Sequence, residues 1–140
     1  MLKILKFIWQ LPQDLLALIM VLWFKIIKCE IVREEIKGIN YYFIGGWYQG
    51  ISLGDFVILG KCYKNENRTI NHEWGHTRQS LYFGPLYLIL IGLPSALGNI
   101  YDRIFHSEWD WKVSSKWYYN QPWEKWADKL GGVDRSYLDD

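Results

Sequence analysis

The feature that most constrains the fold of this sequence is the pentapeptide at positions 72–76, which reads His-Glu-Trp-Gly-His. Two histidines four residues apart project from the same face of a helix. His72 and His76 can therefore occupy two corners of a tetrahedral zinc site. Glu73 follows the first histidine directly, where it can reach a metal-bound water and remove its proton. The motif supplies only two ligands and a base, so the fold must bring a third ligand from elsewhere in the chain.

A second segment, Glu124-Lys125-Trp126-Ala127-Asp128, is the candidate source of that ligand. Its two carboxylates lie four residues apart and share one helix face. Taken alone, this pattern is more typical of a solvated acidic face between lysines. The upstream motif lacks a third ligand, and this favours ligation by Glu124. Three rival ligands lie between the two motifs: His106, Glu108 and Asp110.

The pair H-E-x-x-H and E-x-x-x-D resembles the two motifs of the gluzincins, the thermolysin-like clan of zinc metallopeptidases. The resemblance implies a zincin-like fold in which Glu124 is the third zinc ligand and Asp128 holds a ligating histidine from behind. It also implies that an edge strand beside the motif helix holds the substrate in an extended form, as in strand addition. Residues 72–80 are also similar to small uncharacterised bacterial proteins that carry the pattern H-E-x-G-H-T-x-Q-S.

The fold class predicted for this chain is α+β, as a compact, minimal zincin-like domain over residues 29–140 behind an N-terminal helical segment at 1–28. A helix over residues 70–82 carries the motif, with Thr69 or Asn71 as its cap. A small, mainly antiparallel sheet is predicted from strands at 30–33, 41–44 and 51–59, the last with a bulge at Gly54. A hydrophobic helix is predicted at 85–91, followed by a turn at 92–95. A final helix is predicted from Pro122 to Gly131.

Composition narrows the range of partners. The 140 residues carry a net charge of +1, which excludes the basic surface that binding to nucleic acid requires. Half of the residues are hydrophobic and nine are Trp, which favours a hydrophobic peptide or a membrane-proximal protein as the partner. Cys29 and Cys62 do not make a disulfide scaffold, but they can pair if neighbouring strands bring them together.

The first 28 residues place lysines on both sides of an apolar run from Leu15 to Phe24. No small-residue cleavage site follows, so no cleavable signal peptide is predicted. Pro12 predicts a break between two helical pieces. These pieces are either a membrane-surface anchor, with Trp9 and Trp23 at the interface, or a helix packed on the core. The predicted location is therefore peripheral on a membrane or cytoplasmic.

A second apolar run extends from Gln79 to Tyr101 without a charged residue. It is long enough to cross a membrane. Glycines and prolines divide it into short pieces, however, which favours a hydrophobic helix that is buried in the core or dipped into a bilayer.

The activity that these residues predict is zinc-dependent hydrolysis of peptide bonds in a peptide or protein substrate. Zn²⁺ on His72, His76 and Glu124 keeps its fourth position for water, and Glu73 is the base. The oxyanion needs a further donor, for which the sequence offers Tyr118, Tyr119, Arg135 and Tyr137 without distinguishing among them. The alternatives are a catalytically inactive zincin-fold binding module and a small membrane protein with a structural metal site.

Overall fold

Most of the observed helices and strands lie close to the positions that the sequence predicts. The computed structural model describes residues 2–139, and the α+β fold class is confirmed. The helices are α1 Lys3–Ile26, α2 Asn67–Phe83, α3 Leu93–Phe105, α4 Trp111–Tyr119 and α5 Pro122–Gly131, and the strands are β1 Ile31–Ile36, β2 Ile39–Ile44, β3 Gly50–Leu53 and β4 Phe56–Gly60. Short 3₁₀ turns lie at Lys61–Tyr63, Gly84–Leu86 and Ser136–Leu138, and a π-helical turn lies at Leu88–Gly92.

The four strands form one small mixed sheet in the order β1-β2-β4-β3. The pairs β1–β2 and β3–β4 are antiparallel, as predicted for most of the sheet. The central pair, β2–β4, is parallel, which the sequence did not predict. It is parallel because the chain leaves β2 for the edge of the sheet, forms β3 there, and returns through a hairpin beside β2. This route makes β3 an edge strand.

Residues 51–59 form a hairpin, so the single bulged strand predicted there is wrong. Gly54 lies in the turn between β3 and β4 at φ +62°, a left-handed conformation that glycine adopts at little cost. The carboxylate of Asp14 in α1 lies against Gly54 and accepts a hydrogen bond from the Asp55 backbone N–H at 2.9 Å. A contact from a distant helix therefore fixes this turn.

Helix α1 is continuous, and the predicted break near Pro12 is wrong. Pro12 lies on the exposed side of the helix, where its ring and missing N–H do not disturb the contact face. The buried residues recur with the helical period and hold the whole element against the domain: Gln10, Gln13, Asp14, Ala17, Val21 and Phe24.

Two helix boundaries also differ from prediction. Helix α2 begins at Asn67 after Glu66, so neither Thr69 nor Asn71 is its cap. The chain does not turn at residues 92–95, because the π-helical turn continues directly into α3. Pro94 lies directly after the π-helical turn, in the first turn of α3.

The sheet packs between α1 and α2. One face carries Ile39, Tyr41, Phe43, Val57 and Leu59, which meet Ile70 of α2. On the other face, Ile44 and Ile58 pack against Val21 and Phe24 of α1. Cys29 lies beside this second cluster and Cys62 is exposed; in the described part of the chain both are free thiols, so the pairing considered from the sequence does not form.

Helices α2 and α5 approach each other so closely that two glycines are needed between them. A β-carbon on Gly75 would overlap the Ala127 carbonyl, and one on Gly131 would overlap the Asn71 carbonyl. The contact is therefore backbone against backbone. It places the face of α5 that carries Glu124 and Asp128 against the motif face of α2.

We expect Gly75→Ala to push α5 away from α2 and lower the thermal unfolding midpoint, because overpacking of this kind costs about 1–3 kcal/mol. Gly98→Ala is the matched control, since it adds the same methyl group to a helix where the nearest heavy atom lies 3.8 Å away. Gly98→Ala should leave the midpoint unchanged or raise it slightly. Circular dichroism melting curves measure both, and equal midpoints would contradict the close approach.

Candidate metal centre

Helix α2 directs both motif histidines into its interface with α5. The Nε2 atoms of His72 and His76 lie 3.2 Å apart. Both side chains are buried, with 4% and 5% of the residue surface exposed. The spacing of four residues thus brings two ring nitrogens to one point, as the sequence predicts.

Glu124 of α5 meets both histidines at this point. Its Oε2 atom lies 3.1 Å from each Nε2, and the side chain is fully buried. The rival ligands lie elsewhere: His106 pairs with Asp102 at 2.8 Å, and Glu108 and Asp110 are exposed. Of the four candidates, the fold brings only Glu124 to the histidines within residues 2–139.

The three facing atoms form a nearly equilateral triangle with edges of 3.1–3.2 Å. An ion with tetrahedral bonds of about 2.0–2.1 Å to nitrogen and oxygen has ligand–ligand edges of about 3.3–3.4 Å. The triangle differs from that shape by only a few tenths of an ångström. Its donor atoms can therefore hold a metal ion with little rearrangement.

The outer ring nitrogens show which way the lone pairs point. His72 Nδ1 lies 2.7 Å from Asp128 Oδ1, and His76 Nδ1 lies 2.7 Å from Gln79 Oε1. Amide and carboxylate oxygens only accept, so each Nδ1 carries a hydrogen, and in the neutral form of each ring the Nε2 lone pair faces Glu124. Among residues 2–139, the second Glu124 oxygen has no hydrogen-bond partner. Buried acceptors that converge in this way can hold a cation between them.

The electrostatics of the cluster favour such a cation. Burial alone would raise the pKa of Glu124, but the charges and hydrogen bonds of the two histidines lower it below its usual value. Burial disfavours charge on His72, yet its hydrogen bonds to Asp128 and Glu124 outweigh this and raise its pKa to about 9. The cluster therefore attracts positive charge, either as a proton or as a metal ion.

Each imidazole is held from behind by an oxygen acceptor. Asp128 occupies the predicted place behind His72, and it also accepts hydrogen bonds from Arg135 at 2.6 and 3.0 Å. Gln79 holds His76 in the same way, while its Nε2 donates to the Trp123 carbonyl at 2.7 Å. The sequence assigned no role to Gln79. Its position three residues after His76, on the same helix face, is the signal that could have identified it.

The carboxylate of Glu73 lies against the edge strand β3. The Ser52 hydroxyl is 2.5 Å from Glu73 Oε2 and 2.9 Å from the Glu73 carbonyl oxygen. A side chain at Gly50 would overlap the other carboxylate oxygen. Gly50 and Ser52 are two residues apart and therefore lie on the same face of β3. This face of the strand shapes the space that Glu73 occupies. Sequence reasoning missed both residues, and the predicted strand began at residue 51, which left Gly50 outside it.

The four candidate oxyanion donors differ in their surroundings. Tyr119 meets His72 edge-on, with ring centroids 5.1 Å apart. The Tyr118 hydroxyl lies 2.9 Å from Ser95 Oγ, and the Arg135 guanidinium is bound by Asp128 and lies 3.4 Å from the Tyr137 hydroxyl. Burial raises the pKa of Tyr118 and of Tyr119 above the usual value, so both hydroxyls keep their protons and can donate.

A fourth tyrosine, Tyr87, also reaches this region. It is 3% exposed, and its hydroxyl donates to the Ser52 carbonyl at 2.9 Å. The Gly60 backbone N–H donates to the Gln49 carbonyl, so these two residues form a hydrogen-bonded pair of the β3–β4 ladder. Hydrogen-bonded and non-hydrogen-bonded pairs alternate along an antiparallel ladder, which makes Ser52 and Val57 a non-hydrogen-bonded pair. The Ser52 carbonyl therefore points away from β4. Tyr87 therefore covers the outer edge of β3 next to Glu73. No spacing pattern in the sequence indicates this long-range contact.

Comparison of this chain with protein-family models, with curated proteins and with solved structures found no match.

We expect His72→Ala and Glu124→Ala to abolish tight metal binding, because each substitution removes a direct ligand. Asp128→Ala should weaken binding by roughly 10–100-fold, since it removes only the support behind His72. His106→Ala and Glu108→Ala are matched controls that change the same residue types outside the cluster. Calorimetric titration with zinc chloride measures the affinities. A Glu124→Ala protein that binds zinc as tightly as the controls would contradict this assignment.

Proposed function

We propose that this chain is a zinc-dependent metallopeptidase in which His72, His76 and Glu124 hold Zn²⁺. The observation that carries the proposal is the buried triangle of three ligand atoms, with the Glu73 carboxylate on the same helix but outside the triangle. Three protein ligands leave one tetrahedral position open, which is typical of catalytic rather than structural zinc sites. Imidazole and carboxylate donors also suit zinc.

The residues around the triangle have distinct tasks in this proposal. Bound zinc supplies a Lewis acid that makes a water molecule more acidic. Glu73 accepts the proton of the attacking water and returns it to the leaving amine, a contribution of ~10²–10⁴-fold in rate. The Ser52 hydroxyl limits rotation of the Glu73 carboxylate. Tyr118 and Tyr119 are the proposed donors to the developing oxyanion, and Tyr119 has the contact with His72 that favours it.

The proposed substrate is a peptide or protein chain that lies extended beside β3. This strand is at the edge of the sheet and packs next to α2. An edge strand offers unpaired N–H and C=O groups with which a peptide can pair. Tyr87 already binds the Ser52 carbonyl on this edge, so the proposed pairing is with the exposed Gly50 end of β3. The net charge of +1 keeps nucleic acid outside the proposed partners.

Two other functions remain as alternatives: a catalytically inactive binding module, and a small membrane protein with a structural metal site. Two apolar helical stretches support a membrane protein. They are equally compatible with a peptidase, and we propose that the peptidase is membrane-associated. Glu73 favours hydrolysis over both alternatives. A structural site has no use for a carboxylate that is held beside the ligands by a serine and a close glycine.

We expect Glu73→Gln to bind zinc with the wild-type affinity but to lose at least about 10²-fold in peptide cleavage, because an amide cannot accept the proton of water. Glutamine has nearly the same shape and keeps an oxygen for the Ser52 hydroxyl. Glu108→Gln, an exposed site, is the matched control. Cleavage of a peptide library by the zinc-loaded proteins can be followed by mass spectrometry.

Two outcomes would contradict the proposal. A Glu73→Gln protein as active as the Glu108→Gln protein would show that Glu73 is not the base. A zinc-loaded wild-type protein that cleaves no peptide in the library would favour one of the alternatives.

A further inference from the structure

In the first half of α1 the buried residues are all polar, while most of the apolar residues are exposed. Gln10, Gln13 and Asp14 are buried, with no more than 2% of their surface exposed. Apolar side chains on the same turns are about half exposed, among them Leu5, Ile8 and Leu15. This distribution is the reverse of that in a helix at the surface of a water-soluble protein.

The buried polar residues attach α1 firmly to the rest of the domain. Gln10 donates to Ser80 Oγ at 3.0 Å, Gln13 donates to the Gly84 carbonyl, and Trp9 donates to the Leu81 carbonyl at 2.9 Å. These hydrogen bonds determine which side of α1 faces the protein. The apolar side therefore faces outward as a fixed feature of the fold.

A second apolar surface lies on residues 88–105, which form the π-helical turn and α3. Of the 18 residues in this stretch, 6% are buried, and none of the 13 residues of α3, all of which the structure describes, is buried. A helix in a water-soluble domain normally buries an apolar stripe. Here the apolar residues face outward instead, as with Ile89, Leu93, Leu97, Ile100 and Ile104.

The two apolar surfaces adjoin each other at the 3₁₀ turn Gly84–Leu86. The ring of Trp9 in α1 lies directly against Gly84, so close that a β-carbon there would overlap it. Leu86, which continues towards residues 88–105, is 57% exposed. The outward faces of α1 and of residues 88–105 therefore join into one surface.

The extent of this surface fits a lipid bilayer. Between Leu15 and Trp23, the large apolar residues at 15, 16, 18, 19, 22 and 23 are exposed, and only Ala17 and Val21 are buried. At roughly 100° per residue, these exposed positions span about 160° of the helix surface, on the side away from the sheet, and lipid chains can cover that whole width. Helix α1 has 24 residues, which corresponds to about 36 Å at 1.5 Å per residue, against about 30 Å for the hydrocarbon core of a bilayer.

The charges and tryptophans of α1 fit the same environment. Lys3 lies at one end of the helix, and Lys25 and Lys28 lie at the other, where they can meet anionic lipid headgroups. Trp9 and Trp23 are both exposed and lie between these lysines, as aromatic residues at the two interfaces of a membrane do.

We propose that α1 and residues 88–105 are inserted into the hydrocarbon of a lipid bilayer, which makes this chain an integral membrane protein. The sequence alone predicts a looser arrangement, peripheral attachment through residues 1–28. Insertion accounts for both apolar surfaces and for the buried glutamines. Polar side chains of membrane-embedded helices face the protein interior and find partners there.

Fractionation of cells that express the full chain tests insertion directly. We expect the protein to stay with the membranes through a carbonate wash, to float with them in a sucrose gradient, and to dissolve in detergent. Release by carbonate would support the peripheral arrangement and overturn the proposal. Protein that pellets in the gradient without lipid would also overturn it.

Single-cysteine labelling identifies which residues touch lipid. In a Cys29→Ser, Cys62→Ser background, Ile19→Cys and Leu97→Cys each receive the fluorophore NBD, and Val113→Cys in α4 is the matched control. All three parent side chains are apolar and 52–55% exposed. In vesicles of phosphatidylcholine and phosphatidylglycerol, labels at 19 and 97 should be blue-shifted and reduced by dithionite more than tenfold more slowly than the label at 113.

The proposal fails if the labels at 19 and 97 are reduced as fast as the label at 113. It also fails if they are protected equally well without vesicles or detergent, because a second copy of the chain would then be the occupant. These measurements follow lipid contact and not hydrolysis, so their outcome is independent of the proposed peptidase activity.

Discussion

The structure depends most on the burial of one charged group, the Glu124 carboxylate. A buried ion costs several kcal/mol unless opposite charge and hydrogen bonds compensate it. That compensation comes from His72 and His76 on another helix, so α5 cannot hold Glu124 inside the protein unless it is docked on α2. Asp128 has the same requirement and meets it through His72 and Arg135. The cluster of His72, His76 and Glu124 and the packing of the two helices are therefore one feature of the fold.

Helix α2 is unusual because it lies in the interior with few apolar side chains. Its buried residues are Ile70, His72, Glu73, Gly75, His76, Thr77, Gln79 and Ser80, and Ile70 alone is a large apolar residue among them. The sheet meets α2 through Tyr41 and Ser52, α5 meets it through the histidine cluster, and α1 meets it through Gln10. Hydrogen bonds to three neighbours thus take the place of an apolar stripe. Each bond has a partner distant in the sequence, so the helix depends on the complete fold.

The parts of the site that sequence reasoning predicted are those with local spacing rules. A separation of four residues was enough to place His72 beside His76, and also Glu124 on the same face as Asp128. The docking of the second pair on the first was predicted from the resemblance to gluzincins, and the structure brings these residues together. That the metal is zinc and that the reaction is peptide hydrolysis stay predictions.

The parts that were missed depend on contacts between distant segments. Pro12 suggested a broken helix because a proline destabilises a helix through its immediate neighbours. The contacts that hold α1 in place join Gln10 and Gln13 to residues about 70 positions away in the sequence. Gly54 suggested a bulge, and only the Asp14 carboxylate distinguishes a turn there. Ser52 and Tyr87 belong to the site through hydrogen bonds to residues 21 and 35 positions away. No rule of spacing reveals such pairs.

The glycines between α2 and α5 affect the size of the cation that the three ligand atoms could hold. With the backbones in contact at Gly75 and Gly131, the helices cannot move closer together, and the hydrogen bonds of Gln79 and Asp128 resist their moving apart. The opening between the three ligand atoms is therefore of fixed size. Calcium needs 6–8 oxygen ligands at about 2.3–2.6 Å, a larger and more flexible shell than two imidazoles and one carboxylate provide. The spacing of the helices and the imidazole donors would therefore both disfavour a cation as large as calcium at this cluster.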